Sequence, residues 1–391
     1  MDHSALRRIL LALTGTRAWP DLAELREADW HTLAQLAALQ RLEPLLHAQH
    51  AGNAAVPSEV RAGWKAAHRS AALVAMHTRR ELTECCALLE AHGHAPIALK
   101  GSWLAYHAYP EPAQRPMRDI DLLVPAAGVL EAFALLLAAG YRIGSPLELP
   151  LADHVKFEKH LPVLIAPRGT VTELHHRLWE PDGRLDHATP PQDEAPLRAR
   201  AVVGADGIRV LAPQDTLAHL IIHAVYSHRL DCGPLLLPDI DFLLRAAPID
   251  WPAFWAQAER EGWRSGARLV LDLVAAYRTD AQVDFGPDRG PPTPALLLAA
   301  APDLLMQDLD TRQSAGVAAA VLKEGPGGLW QRLRGRRGAH GERTVTRDMA
   351  SAGGMLGWAG SRLRRSLSDL ARADVRRQSR QLAALSKWLD Q

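Results

Sequence analysis

Asp119 and Asp121 stand two residues apart at the head of the apolar run Ile120, Leu122, Leu123 and Val124, which reads as a strand. Alternate side chains of a strand share a face, so the two carboxylates project together. Like charges placed side by side are costly to bury unless something positive lies between them. A divalent cation meets that need, and Mg²⁺ with its preference for hard oxygen ligands meets it best. Upstream, Gly101 and Ser102 follow a short apolar strand at 96–99 and open a short helix at 103–108. A strand–Gly-Ser–helix turn offers backbone N–H groups that hold phosphate oxygens. The chemistry these residues suit is metal-assisted phosphoryl or nucleotidyl transfer.

Such a site needs a third acid from another strand to complete the metal coordination. Glu173 is the candidate, near the end of a strand at 170–174, where alternation puts Val171 and His175 on its own face. A Glu-x-His pair beside metal-bound phosphates can relay a proton. Lys100, Arg115 and Arg118 flank the acids and are candidate ligands of a triphosphate. His154, Lys156, Lys159 and His160 form a further basic cluster for acceptor or phosphate. A second Asp-x-Asp, Asp239 and Asp241, serves as a control. Its apolar spacing reads as a helix after Pro238, on which positions i and i+2 diverge, so these acids cannot share a metal. Asp239 is expected to be a structural acid near a helix start. His219 and His223 have the i, i+4 spacing of zinc ligands but no Glu follows His219, and packing or substrate contact is expected there. No P-loop, Rossmann or Gly-x-Ser-x-Gly signature occurs.

These residues need a scaffold, and the hydrophobic pattern describes one. Helical spacing dominates 1–93, with a long amphipathic segment at 57–92 that Gly93 stops. From Pro96 the pattern changes to short strands, with a helix at 129–139 ended by Gly140 and a hairpin formed by 161–166 and 170–174 around Gly169. Helices resume at Pro213 and continue at 234–246, 252–261 and 265–278. The expected fold is α+β: a small mixed sheet at 94–200 between helical regions at 1–93 and 201–283. A linker and helical segment follows at 284–330, then an Arg-rich tail at 331–391.

With 391 residues, 48% hydrophobic and 23% charged, the chain has the composition of a globular protein of more than one domain. A net charge of +1 carries no polyanion signal for the whole molecule. The tail, however, has fourteen Lys and Arg against five Asp and Glu, an asymmetry that suits an anionic partner as well as it suits a solvated appendage. The three cysteines have neither bridge nor zinc spacing. With a polar start to the chain and no membrane-length apolar run, they make a cytoplasmic setting the expectation.

Taken together, Leu99-Lys-Gly-Ser, Arg115-Pro-Met-Arg-Asp-Ile-Asp-Leu-Leu-Val, Glu173-Leu-His and Pro213-Gln-Asp-Thr-Leu-Ala-His-Leu-Ile-Ile-His-Ala resemble an uncharacterised nucleotidyltransferase family of the polymerase-beta-type superfamily. The resemblance runs from near the start of the chain to about residue 280. It implies a Gly101-Ser102 turn, Asp119 with Asp121 on a strand and Glu173 on a later one. It further implies two Mg²⁺ ions and a nucleoside triphosphate donor, with ATP expected. It leaves the acceptor open among a small molecule, a peptide and a polysaccharide precursor. A kinase-like phosphotransfer on the same site, and a catalytically weak nucleotide- or partner-binding protein, are the competing readings.

Overall fold

Leu, Trp and Ala at helical spacing make the amino-terminal part helical. The computed structural model describes residues 1–15, 20–144, 147, 150–180, 185, 188–278, 284–287, 289–307, 315 and 372–390. It begins with α1 (His3–Leu13), α2 (Glu27–Leu39), α3 (Glu43–His50) and the 34-residue α4 (Ser58–Ala91). Pro57 sits just outside α4, where its missing N–H is harmless. Gly93 ends it in the left-handed conformation, φ 80°.

A mixed sheet follows. Its first members are β1 (Ile97–Ala98), α5 (Gly101–His107), β2 (Asp119–Leu123), α6 (Val129–Ala138) and β3 (Arg142–Ile143). Next come α7 (Leu151–Phe157), β4 (Leu164–Ile165), β5 (Val171–His175), α8 (Ala195–Arg200), β6 (Val202–Val203) and β7 (Arg209–Val210). The strand order is β3-β4-β5-β2-β1-β7-β6, so β2 lies in the middle. It runs antiparallel to β1 and parallel to β5, with Asp119 opposite Val171, Asp121 opposite Glu173 and Leu123 opposite His175. The β4–β5 pair is the expected hairpin. The sheet also continues beyond residue 200 through β6 and β7, which are too short to show an alternation.

The two faces of the sheet divide the labour. Ile120, Leu122 and Leu174 point into a core with Leu82, Cys85 and Leu89 of α4 and with Ala132, Phe133 and Leu136 of α6. Burial of this apolar surface, at about 25 cal/mol per Å², is what fixes the register. A one-residue slip of β2 would send its acids into that core. The other face, by alternation, carries Asp119, Asp121, Glu173 and His175.

Downstream lie α9 (Pro213–Ile222), a π-helical turn at His223–Ser227, α10 (Leu236–Ala246), α11 (Trp251–Arg260) and α12 (Arg264–Tyr277). Helix α10 starts before Pro238 rather than after it, because proline is tolerated in a first turn. The chain divides into two units, 1–228 with 232–292, and 229–231 with 293–391. Every candidate site residue belongs to the first. In the second, α13 (Ala295–Leu305) is joined by α14 (Ala373–Leu389), and Gln381 donates to Asp303 at 3.3 Å. Val375, Leu385 and Trp388 of α14 are buried, so this end of the chain is more than a solvated tail. Most of the Arg-rich stretch, 331–371, lies outside the described residues, as does much of the segment at 284–330. No described helix is long and apolar enough to cross a membrane.

Candidate active site

The parallel register of β2 and β5 brings Asp121 and Glu173 side by side, and His175 closes the group. His175 Nε2 donates to Asp121 Oδ1 at 2.9 Å and lies 3.4 Å from Glu173 Oε2. Ligand atoms of these three residues all fall within 4.8 Å of one another, a spacing that lets them converge on one cation. The donors, two carboxylates and an imidazole, fit a hard or borderline divalent ion. Among the described residues neither His219 nor His223 belongs to such a group. Asp119 shares the face but stands outside the trio.

The electrostatics separate the acids. Burial raises the Asp121 carboxyl, yet Lys100 and the His175 hydrogen bond outweigh it and hold the group well below the usual carboxylate range. Asp119 goes the other way: burial and the neighbouring Asp121 charge push it up to about 6. Glu173 is lowered, because His175 and His160 more than offset its burial. The structure thus places one firmly ionised acid beside one that keeps a proton more readily, which is how two like charges share a small space.

The turn before α5 supplies the cation. Lys100 has φ 44° and ψ −121°, a conformation that L residues adopt at a cost, and its Nζ lies 3.3 Å from Asp121 Oδ1. Gly101 has no room for a side chain, since a Cβ would come 2.2 Å from Arg115 Nη1. Ser102 Oγ accepts from the Asp121 N–H at 3.1 Å, pinning the turn to β2. Ser102 is buried, so its hydroxyl has a structural duty here.

Arg115 is engaged as well. Its Nε and Nη2 donate to Asp239 Oδ1 and Oδ2 at 2.8 and 2.9 Å, and the Tyr109 hydroxyl donates to the same carboxylate at 2.7 Å. The second Asp-x-Asp therefore sits on helix α10 in a structural role, and through Arg115 it buttresses the Gly101 turn. Asp241 is held apart by Arg245 and Arg278 at 3.1 and 3.0 Å. Arg118 is exposed at the entrance to β2.

Three further residues surround the group, and of these only Arg41 lay outside the sequence reading. His160 is brought beside His175, with ring centres 5.2 Å apart, by a bridge between the two residues. It came into view only as a member of a basic cluster. His219 is buried edge-on against Trp179 at 5.4 Å, with burial and Lys100 holding its pKa well below the usual value. The third is Arg41, from the helical amino-terminal part, whose charge senses Arg118, Arg115 and Asp119. Of the rest of that cluster, Lys159 pairs with Glu180 at 3.0 Å and Lys156 lies over the Phe157 ring at 4.9 Å.

No curated protein and no solved structure matches the chain. Residues 26–278, the stretch that holds the acids, the Gly-Ser turn, Arg41 and the helices behind them, match the family described as uncharacterised nucleotidyltransferase. With well over half its length matched and this site at the centre of the match, the chain belongs to the uncharacterised nucleotidyltransferase family.

Proposed function

We propose that the protein moves a nucleoside monophosphate from a nucleoside triphosphate, with ATP as the expected donor, to an acceptor hydroxyl or phosphate. The observation that carries this reading is the register of β2 with β5, which sets Asp121, Glu173 and His175 around one point and leaves Asp119 on the same face. Asp121, Glu173 and His175 would hold one divalent cation and Asp119 with Asp121 a second, Mg²⁺ being the expected metal. Bound there, the ions would neutralise triphosphate oxygens and the charge that builds up in transfer. In the Gly101 turn the Ser102 and Trp103 N–H groups already bond Leu99 O and Lys100 O, at 3.0 and 3.2 Å, so the turn's part toward the phosphates falls to Lys100, whose ammonium would shift from Asp121 to a phosphate oxygen. Arg118, exposed at the entrance to β2, would meet the same phosphates. An acceptor oxygen then bonds to the α-phosphorus, the bond to the bridging oxygen breaks, and pyrophosphate leaves. The proton of an attacking hydroxyl passes to a carboxylate of this set. Orientation of the two substrates is the chief contribution of the chain.

Incubating the protein and Mg²⁺ with candidate acceptors and each triphosphate, labelled in turn at the α- and γ-phosphorus, tests the proposal. Incorporation of α-label with release of pyrophosphate is expected. Incorporation of γ-label alone would make the protein a phosphotransferase, and binding without any transfer would leave it a nucleotide-binding protein.

A further inference from the structure

Among the described residues, four helices end with the same pair of backbone hydrogen bonds, one closing back five residues and one three. They are α2, α4, α6 and α11, the bonds in α2 being Leu42 N–H to Ala37 O and Arg41 N–H to Ala38 O. This cap needs a left-handed residue at its corner, where glycine is at home. Gly93, Gly140 and Gly262 fill the corner in the other three, and Arg41 fills it in α2 with φ 57°. An L residue held there is strained, so the arginine side chain is kept against the local preference of the backbone.

Its guanidinium does not settle the matter within the protein. Arg41 Nε is buried with no hydrogen-bond partner, and Arg41 forms no ion pair among the described residues. Nearby Asp239 is already taken by Arg115 and Tyr109. Arg41 lines a cavity of about 280 Å³ together with Arg115, Glu43 and Thr78, and Ala38, Ala71, Val74 and Met117 give that cavity an apolar wall. Met117 leads through Arg118 straight into Asp119 at the head of β2. A half-buried arginine whose Nε has no hydrogen-bond partner, beside Arg115 and within electrostatic reach of Arg118 and Asp119, with an apolar slot adjoining, is an arrangement that can receive an anion attached to an uncharged body.

We propose that Arg41, with Arg118 at the rim, binds phosphate oxygens of a substrate at the mouth of this cavity, and that the apolar wall carries the body of the same molecule. This deepens the nucleotidyl-transfer reading and rests on it for the use made of the bound phosphate. Two sources share the chemistry: the triphosphate tail of the donor, and a phosphate on the acceptor.

The full-length chain and its Arg41→Gly and Arg41→Lys variants are compared by calorimetric titration. The probes are tripolyphosphate, Mg–ATP, and inorganic phosphate added to protein saturated with Mg–ATP. Glycine suits the left-handed corner, so Arg41→Gly should melt no lower than the wild type while losing anion affinity at least tenfold; Arg41→Lys should fall between. Weakening of tripolyphosphate and Mg–ATP together assigns the site to the donor. Weakening of inorganic phosphate alone assigns it to the acceptor. Unchanged affinity for all three probes overturns the proposal, as does a loss of binding that accompanies a lower melting temperature. Failure of the wild type to bind Mg–ATP, with phosphate binding still dependent on Arg41, would sink the transfer reading and leave the anion site standing.

Discussion

Arg115 and Asp239 meet through two parallel hydrogen bonds, although 124 residues separate them in the chain. The pair is nearly out of reach of solvent, with side chains 14% and 5% exposed. It ties helix α10 to the loop that leads into β2, and the Arg115 guanidinium forms the floor under Gly101. Removing one member strands the other charge, which in a buried pair costs about 3–5 kcal/mol. Asp239→Asn should therefore lower stability by roughly 3 kcal/mol and weaken nucleotide binding through the turn. A double variant, Arg115→Met with Asp239→Leu, should recover most of the stability. Denaturant midpoints of the three proteins check this. An Asp239→Asn protein as stable as the wild type would mean the pair is not sustained in solution.

Gly101→Ala adds one methyl group where Arg115 Nη1 would lie 2.2 Å away. Either the guanidinium or the turn must shift, at a cost of about 1–3 kcal/mol for an overpacked site. Because the displaced parts are the turn and its support, nucleotide affinity should fall more than melting temperature does. Paired titration and melting measurements test it. Full nucleotide affinity in Gly101→Ala would show that the phosphates do not depend on this turn.

His175 lies between two carboxylates and donates to one of them. Exchange for alanine removes both the nitrogen proposed as a ligand and the group that sits between Asp121 and Glu173. Mn²⁺ affinity, read by calorimetry, should fall on the order of ten- to a hundredfold. Asp121→Asn should go further and abolish metal-dependent nucleotide binding with the fold retained, since Asn keeps the shape and loses the charge. A His175→Ala protein that binds Mn²⁺ as well as the wild type would restrict the cation site to the acids.

The strand character of Asp119 and Asp121 was legible because Ile120, Leu122 and Val124 alternate with them, and the core face demands that alternation. The helical setting of Asp239 and Asp241 was legible for the converse reason. What escaped was anything set by contacts distant in the chain. Nothing local marks Arg115 as the partner of Asp239, so its positive charge next to an acidic pair suggested a phosphate ligand. His175 reads as a neighbour of Glu173 on one strand, and only the register with β2 shows that it also bonds Asp121. Strands of two residues, such as β6 and β7, leave too short an alternation to detect. Arg41 was invisible because a left-handed corner at a helix end is signalled by glycine, and here the glycine is missing.

The carboxy-terminal end gives the last prediction. By charge alone the stretch from 331 is a basic appendage, yet Val375, Leu382, Leu385, Trp388 and Leu389 of α14 are buried and α14 accompanies α13. Gln381 and Arg377 both approach Asp303 of α13, at 3.3 and 3.8 Å. Deleting residues 372–391 therefore removes the partner of an apolar helix, and each buried large side chain left uncovered forfeits about 1.5–3 kcal/mol. Every proposed site residue belongs to the other unit, 1–228 with 232–292. The truncated protein should thus keep Mg–ATP affinity within a few-fold of the full chain. It should also gain dye-accessible apolar surface and aggregate more readily. Calorimetric titration and a hydrophobic-dye assay on the two proteins measure both effects. Loss of Mg–ATP binding on truncation would show that α14 supports the nucleotide site, and an unchanged dye signal would show that its apolar face is dispensable.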